Sequence, residues 1–171
     1  MKKLVLLGTA VLAFASCQQS AKIAYVDNSK LINEYQEKKD IEASLKVKID
    51  AFQKRTDSLQ KAFQFEVNEA EIKARRLSGK ALQELSNDIQ DKNAALQQRF
   101  QFEQGQIAQE SQSKNDSLVK KVKTFIKDYG TKHGYEFILG SNEGGSVMFG
   151  KTEHDLTETL LELLNTEYKK Q

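Results

Sequence analysis

The chain contains no proline, and the stretch between Lys22 and Tyr129 contains only two glycines, Gly79 and Gly105. This stretch is crowded with Gln, Glu, Lys, Ala and Leu, which favour helix. Because one helix of this length would far exceed a globular core, we predict two antiparallel helices. Ser78 can cap a second helix and Gly79 permits a tight reversal, so we place the tip of the hairpin near residue 78.

Apolar residues recur every eleven positions on both predicted arms. They are Ile41, Phe52, Phe63 and Ala74 on the first arm and Leu85, Leu96, Ile107, Leu118 and Tyr129 on the second. Eleven residues in three turns is about 3.67 residues per turn, which predicts a nearly straight or weakly right-handed seam. At about 1.5 Å per residue, arms of about 40 to 50 residues would reach roughly 60 to 75 Å.

The two ends of the chain contain short strand-like segments. Residues 22–26, 135–139 and 146–149 are rich in strand-forming residues, and 142–145 is a turn between the second and third. Residues 155–158 open a last helix with apolar Leu156, Leu160, Leu161 and Leu164. We predict an α+β fold, predominantly α, with the helical hairpin inserted between strand one and strand two of a small β-body. The predicted boundaries are 1–16 for a signal peptide, 17–37 for the first strand and helix start of the body, 38–128 for the hairpin limb, and 129–171 for the strand-turn-strand and C-terminal helix of the body.

The N-terminus carries the features of an export signal. Two lysines precede an apolar run, residues 4–14, that is too short to span a bilayer, and the only cysteine, Cys17, follows. The segment resembles a lipoprotein signal peptide, although Phe14 occupies a position where an aliphatic residue is usual. We expect a lipid on Cys17 and a periplasmic protein on the membrane, the outer membrane being favoured because Gln18 follows the cysteine. The alternative is an ordinary cleavage site that leaves a free thiol.

Charge is unevenly placed along the chain. The precursor carries a formal charge of +2, and loss of the two N-terminal lysines makes the mature chain neutral. Residues 38–80 nevertheless contain 11 Lys and Arg against 7 Asp and Glu, whereas residues 81–128 contain 7 of each. These counts predict a basic limb on an acidic body. We expect no nucleic-acid partner, because binding to phosphates requires many excess cations.

The sequence predicts no catalytic residue, no metal and no cofactor. His133 and His154 are the only histidines, and their positions fit no metal-ligand spacing. Gly144 and Gly145 lack the strand-to-helix context and the Lys-Ser/Thr pair of a phosphate-binding loop. The acidic residues are scattered as on any soluble helix surface. We therefore expect that the protein is not an enzyme.

Several of these segments together resemble a known family. Residues 22–27 (KIAYVD) with Leu31 and Tyr35, the Gln-rich hairpin, and residues 134–139 (GYEFIL) before 155–157 (DLT) resemble the Skp (OmpH-like) family of periplasmic chaperones over nearly all of the mature chain. The resemblance implies a homotrimer whose strands build one β-body and whose hairpins surround a cavity for unfolded outer-membrane proteins. It implies an ATP-independent holdase for unfolded outer-membrane or exported proteins. Many members are strongly basic and soluble, whereas this mature chain is neutral and has a predicted lipid site.

Physical reasoning also favours an oligomer. Two or three strands of about five residues cannot bury enough apolar area to anchor so long a limb. We expect the apolar residues of the body to make body or trimer contacts; these residues are Ile23, Tyr25, Phe137, Ile138, Leu139, Val147 and Phe149. The alternative is a monomeric hairpin on a lipid tether.

A tetrapeptide, Phe-Gln-Phe-Glu, occurs once on each arm, at 63–66 and 100–103. The first Phe of each copy falls on the seam rows, whereas Phe65 and Phe102 lie about 200° further around the helix. We predict that Phe65 and Phe102 contact unfolded clients. The alternative is that they pad a broadened seam or a contact between neighbouring limbs.

Two other functions use long hairpins. A periplasmic adaptor needs additional β-rich domains, for which the short flanks leave no room. A structural coiled-coil lipoprotein without chaperone activity is the stronger alternative. The β-rich ends argue against it, because a simple spacer needs none.

Overall fold

The computed structural model describes residues 21–142 and 144–170, and Cys17 and the predicted signal peptide lie outside these ranges. The elements in chain order are β1 (Ile23–Asp27), α1 (Asn28–Glu34), α2 (Gln36–Ala74), α3 (Lys80–Lys132), β2 (Phe137–Ser141), a 3-10 turn (Thr152–His154) and α4 (Thr157–Tyr168). The hairpin of α2 and α3 is inserted between the two strands, as the sequence predicts. None of the helices in these ranges has a stretch that is long and apolar enough to cross a membrane.

The sheet has two parallel strands. The register runs from Ile23 opposite Phe137 to Asp27 opposite Ser141. Parallel strands need a long crossover connection, and here the whole hairpin supplies it. The predicted third strand at 146–149 is wrong. Residues 146–148 form bends and Phe149 is irregular. Strand-forming side chains make a strand only where a neighbouring strand can pair with them, and no described strand lies beside this segment. The region after α3 is therefore a strand and a loop before α4.

One hydrophobic core joins β1, α1, α3 and α4 in the body. Inward residues of β1 pack against α1, the C-terminal part of α3 and the leucines at and after the start of α4. The buried members of this core are Ala24, Val26, Leu31, Tyr35, Leu118, Val122, Leu156, Leu160, Leu161 and Leu164. Asp27 caps α1 by accepting a hydrogen bond from the Lys30 N–H at 3.0 Å. The predicted apolar residues are buried, because Leu156 just before α4 and Leu160, Leu161 and Leu164 within it recur on one helix face, whereas Leu163 is exposed.

The two ends of α2 are formed in different ways. At its start, Tyr35 leaves helical geometry (φ −62°, ψ 127°) and separates α2 from α1. At the tip, α2 ends at Ala74 and α3 begins at Lys80. Gly79 adopts a positive φ of 60°, which glycine tolerates and other residues rarely do. The predicted cap by Ser78 is wrong, because Gly79 occupies the cap position and, among the residues that the structure describes, no side chain caps the start of α3.

Candidate functional site

The limb is held together by a thin apolar seam. The rows predicted from the eleven-residue spacing are half-buried or buried along both arms, and the rings of Phe52 and Phe100 meet edge to face with centroids 6.4 Å apart. From residue 46 to residue 117, however, no side chain is buried. Real burial begins only at Leu45 and Leu118, near the body. The limb therefore has little core of its own, and most of its surface is available for contact.

Ion pairs join the two arms across one edge of the seam. The pairs are Glu37 with Lys121 at 2.7 Å, Lys48 with Glu110 at 2.6 Å, Arg55 with Glu103 at 2.8 Å and Glu66 with Lys92 at 3.1 Å. Along each arm these positions are separated by steps of 11, 7 and 11 residues, which are close to whole numbers of helical turns and keep the pairs on one side of each helix.

Two acidic residues each receive two cationic partners on this edge. Hydrogen bonds from Arg55 and Arg99 lower the pKa of Glu103. Hydrogen bonds from Lys48 and Lys114 lower the pKa of Glu110. In both cases the partners stabilise the ionised carboxylate.

Phe65 and Phe102 point away from the seam. They are 64% and 65% exposed, whereas Phe63 and Phe100 are half-buried. Phe102 lines a groove of about 610 Å³ beside Arg55. This is the position that the tetrapeptide spacing predicts, and contact with a client remains a prediction.

Three further exposed apolar residues of α2 were not predicted from the sequence, namely Val47, Ile49 and Ile72. Val47 and Ile72 lie on the same face as Phe65, because steps of 18 and 7 residues are close to whole numbers of helical turns. Together Val47, Phe65 and Ile72 form the outer apolar row of the limb. The 3.6-residue period of the helix is the sequence signal for Val47 and Ile72, and the eleven-residue rows do not contain them.

The outward face of the sheet is apolar and open. Ile23, Phe137 and Leu139 are exposed, and Tyr25 lies half-buried among them. Ile138 points inward instead, so that a methyl group added at Gly130 would approach its Cδ1 to 3.2 Å. Ile138 therefore packs within the protomer.

The loop after β2 adds two bulky side chains near this face. Met148 and Phe149 are 89% and 86% exposed, and Val147 is half-buried. The loop returns to the sheet at Gly150, whose carbonyl accepts a hydrogen bond from the Tyr25 hydroxyl at 3.3 Å. We define the outward face as the surface formed by Ile23, Tyr25, Phe137, Leu139 and Phe149. An exposed apolar patch of this kind is typical of a surface that contacts another protein chain.

The histidines have ordinary surroundings. His133 stacks on Tyr129 with ring centroids 4.1 Å apart, and His154 lies 3.6 Å from Glu153. No group of three or more potential metal ligands occurs in the ranges that the structure covers.

Comparisons with known proteins agree with this architecture. The family of outer membrane proteins described as OmpH-like matches residues 22–164. A comparison with curated proteins gives no match. Among solved structures, a candidate outer membrane chaperone (OmpH-like) from Caulobacter crescentus has the same fold, with a TM-score of 0.75, 16% identity and 88% of each chain covered. Because the family match spans most of the chain, the protein belongs to the OmpH-like family, the family that its sequence resembles.

Proposed function

We propose that the protein is an ATP-independent holdase. It holds unfolded outer-membrane or exported proteins between its limbs and so keeps them from aggregating. The observation that carries the proposal is the pair of exposed phenylalanines, Phe65 and Phe102, on a polar limb that does not need them for its own packing. Membership in the OmpH-like family and the similarity to a candidate outer membrane chaperone support it.

Weak and numerous contacts suit this task. An unfolded client exposes apolar side chains along its whole length, and the outer apolar row with Phe102 offers matching contacts spaced along the limb. Each contact contributes little binding free energy, so a partner that folds the client or binds it more tightly can take the client from the limb. Gly105, three residues from Phe102, has no side chain and reduces local helix stability by up to about 1 kcal/mol relative to Ala, which lets the limb bend around clients.

The test is the double variant Phe65→Ser with Phe102→Ser. It should keep its helicity and its mass, yet a denatured outer-membrane protein diluted into it should scatter more light than with the parent. The matched control is Gln64→Ser with Gln101→Ser, which changes exposed neighbours in the same two tetrapeptides and should protect as well as the parent.

Two results would contradict this assignment. Loss of the thermal transition in the phenylalanine variant would make these rings part of the core. Full protection by the same variant would move client contact to the charges of the limb.

We further propose that the protein is a homotrimer joined through its outward face. This face and the unpaired edge of β2 give each protomer apolar area and backbone groups that a neighbour can use. A charge at Tyr25 should dissociate the trimer and unfold the body, because such a body has no stable monomer. Light scattering on the parent is the direct check, and a monomeric mass at micromolar concentration would contradict the trimer.

We also propose that a lipid on Cys17 anchors the protein to the membrane, the outer membrane being favoured. Cys17→Ala should move the protein from the membrane to the soluble periplasmic fraction. Unchanged membrane fractionation of this variant would contradict the anchor.

A further inference from the structure

The groove beside Phe102 lies between the two arms near the middle of the limb, on the edge that carries the ion pairs. We name it the mid-limb groove and define it by Ala51, Arg55, Arg99, Phe102 and Ile107. Ala51 and Ile107 are half-buried and give the groove an apolar lining, whereas the ring of Phe102 is exposed. With a volume of about 610 Å³, the groove has room for a large side chain from another molecule.

Two guanidinium groups line the groove together with Phe102. The Arg55 Nη2 donates to the Glu103 Oε2 at 2.8 Å, and the Arg99 Nε donates to the Glu103 Oε1 at 3.1 Å. Glu103 therefore holds one arginine from each arm in a fixed position. The two arginine side chains are nevertheless 52% and 57% exposed, so each can present part of its planar group to a ligand.

The two Phe-Gln-Phe-Glu copies differ in this respect. Arg99 stands directly before the second copy, whereas Ala62 stands directly before the first. Glu66, the last residue of the first copy, pairs with Lys92. An exposed phenylalanine beside a glutamate that holds two arginines is therefore a feature of the second copy.

The charges of the groove disfavour an anionic ligand. Glu103 and Glu110 both line it, and Glu110 also has two cationic partners, Lys48 at 2.6 Å and Lys114 at 3.0 Å. A carboxylate would have to displace one of these pairs, whereas an aromatic ring would not. Guanidinium groups stack on the faces of aromatic rings, which carry the negative part of the ring quadrupole. A second ring also packs favourably on Phe102, edge to face or offset.

We propose that the mid-limb groove binds aromatic side chains of unfolded clients in preference to aliphatic ones. This inference rests on the proposed holdase function and names the class of side chain that one part of the limb selects. The client ring lies against Phe102, with the guanidinium of Arg55 or Arg99 over its face. Tryptophan gains most from such a contact, because its ring attracts cations most strongly.

The experiment measures the binding of two unfolded peptides to the full mature chain with Cys17→Ser, which carries no lipid. One is a polar peptide with tryptophans at regular positions, and the other has leucine at each of those positions. Fluorescence anisotropy of a dye at the peptide N-terminus gives both dissociation constants. The parent should bind the tryptophan peptide more tightly, and the ratio of the two affinities is the readout.

Two variants should lower this ratio. Arg99→Ala removes one guanidinium and should lower it about two- to fivefold. Phe102→Leu keeps apolar area in the groove but removes the ring, and should lower the ratio about two- to tenfold. The matched control is Lys114→Ala, which removes a cation paired with a glutamate four residues away, as Arg99 is, but lies outside the groove. The control should keep the ratio of the parent.

The outcomes separate this inference from the proposed function. Equal affinities of the parent for the two peptides would overturn the inference, and so would an equal fall of the ratio in Lys114→Ala. An unchanged ratio in both Arg99→Ala and Phe102→Leu would overturn it as well. If a parent without aromatic preference still protects a denatured outer-membrane protein from aggregation, the holdase proposal stands and only this inference is removed.

Discussion

The limb helix α2 begins under a cap that comes from a distant part of the chain. Tyr35, the residue before it, makes no side-chain cap. Instead the Gln36 N–H donates to the Asn165 Oδ1 of α4 at 2.8 Å. The Tyr168 hydroxyl, one turn further along α4, donates to Asp40 at 3.0 Å. Helix α4 therefore determines how the base of the limb is attached to the body, and Asn165→Ala should loosen that attachment.

The size of the effect follows from two costs. Loss of a capping side chain typically costs about 1 kcal/mol. The Gln36 N–H is also left without an acceptor, which costs about 1 to 3 kcal/mol in a buried site and less here, where the residue is half-buried. Since both describe the same lost bond, we expect a loss of about 1 to 2 kcal/mol. That is a decrease of roughly 5- to 30-fold in the ratio of folded to unfolded protein.

Urea denaturation followed by circular dichroism at equal protomer concentrations measures this loss. The midpoint should fall while the slope stays constant. The control is Asn87→Ala, an exposed asparagine of α3 whose Oδ1 accepts from Gln83 at 2.9 Å. Both variants gain the helix propensity of alanine, so their difference isolates the cap. If the two midpoints coincide, the cap does not hold the limb and the reasoning is refuted.

Two further predictions concern the limb. Gly79→Ala should lower the melting temperature, because φ 60° with ψ −132° is a backbone region that glycine adopts readily and that costs other residues about 1 to 3 kcal/mol. Gly105→Ala should raise the melting temperature by removing a flexible residue from a helix, and shifts of the same sign would contradict this reasoning. The lowered pKa of Glu103 and of Glu110 means that both stabilise the folded limb above their ordinary value of 4.5 and lose this effect as the pH falls through their folded pKa. Glu103→Gln should therefore make the free energy of unfolding, measured by urea denaturation, depend less on pH below 4.5. Glu84→Gln, at an exposed position, should reduce this pH dependence less.

Several elements could be predicted from the sequence because their signals are local. The absence of proline, the eleven-residue rows and Gly79 indicate the hairpin and its tip, and the leucine pattern indicates α4. The outward direction of Phe65 and Phe102 follows from helix geometry alone. A helix repeats its own dihedral angles, so residues a few positions apart determine its length, its faces and its ends.

Only the tertiary structure decided the features that depend on remote neighbours. Residues 146–149 have strand-forming side chains but no adjacent strand, and so they remain a loop. Ile138 faces inward because the register pairs it with Ala24. The cap of α2 comes from Asn165, 129 positions along the chain from Gln36. No local pattern encodes such a contact, because a hydrogen bond between remote residues exists only after the body has packed and brought α4 against the base of the limb.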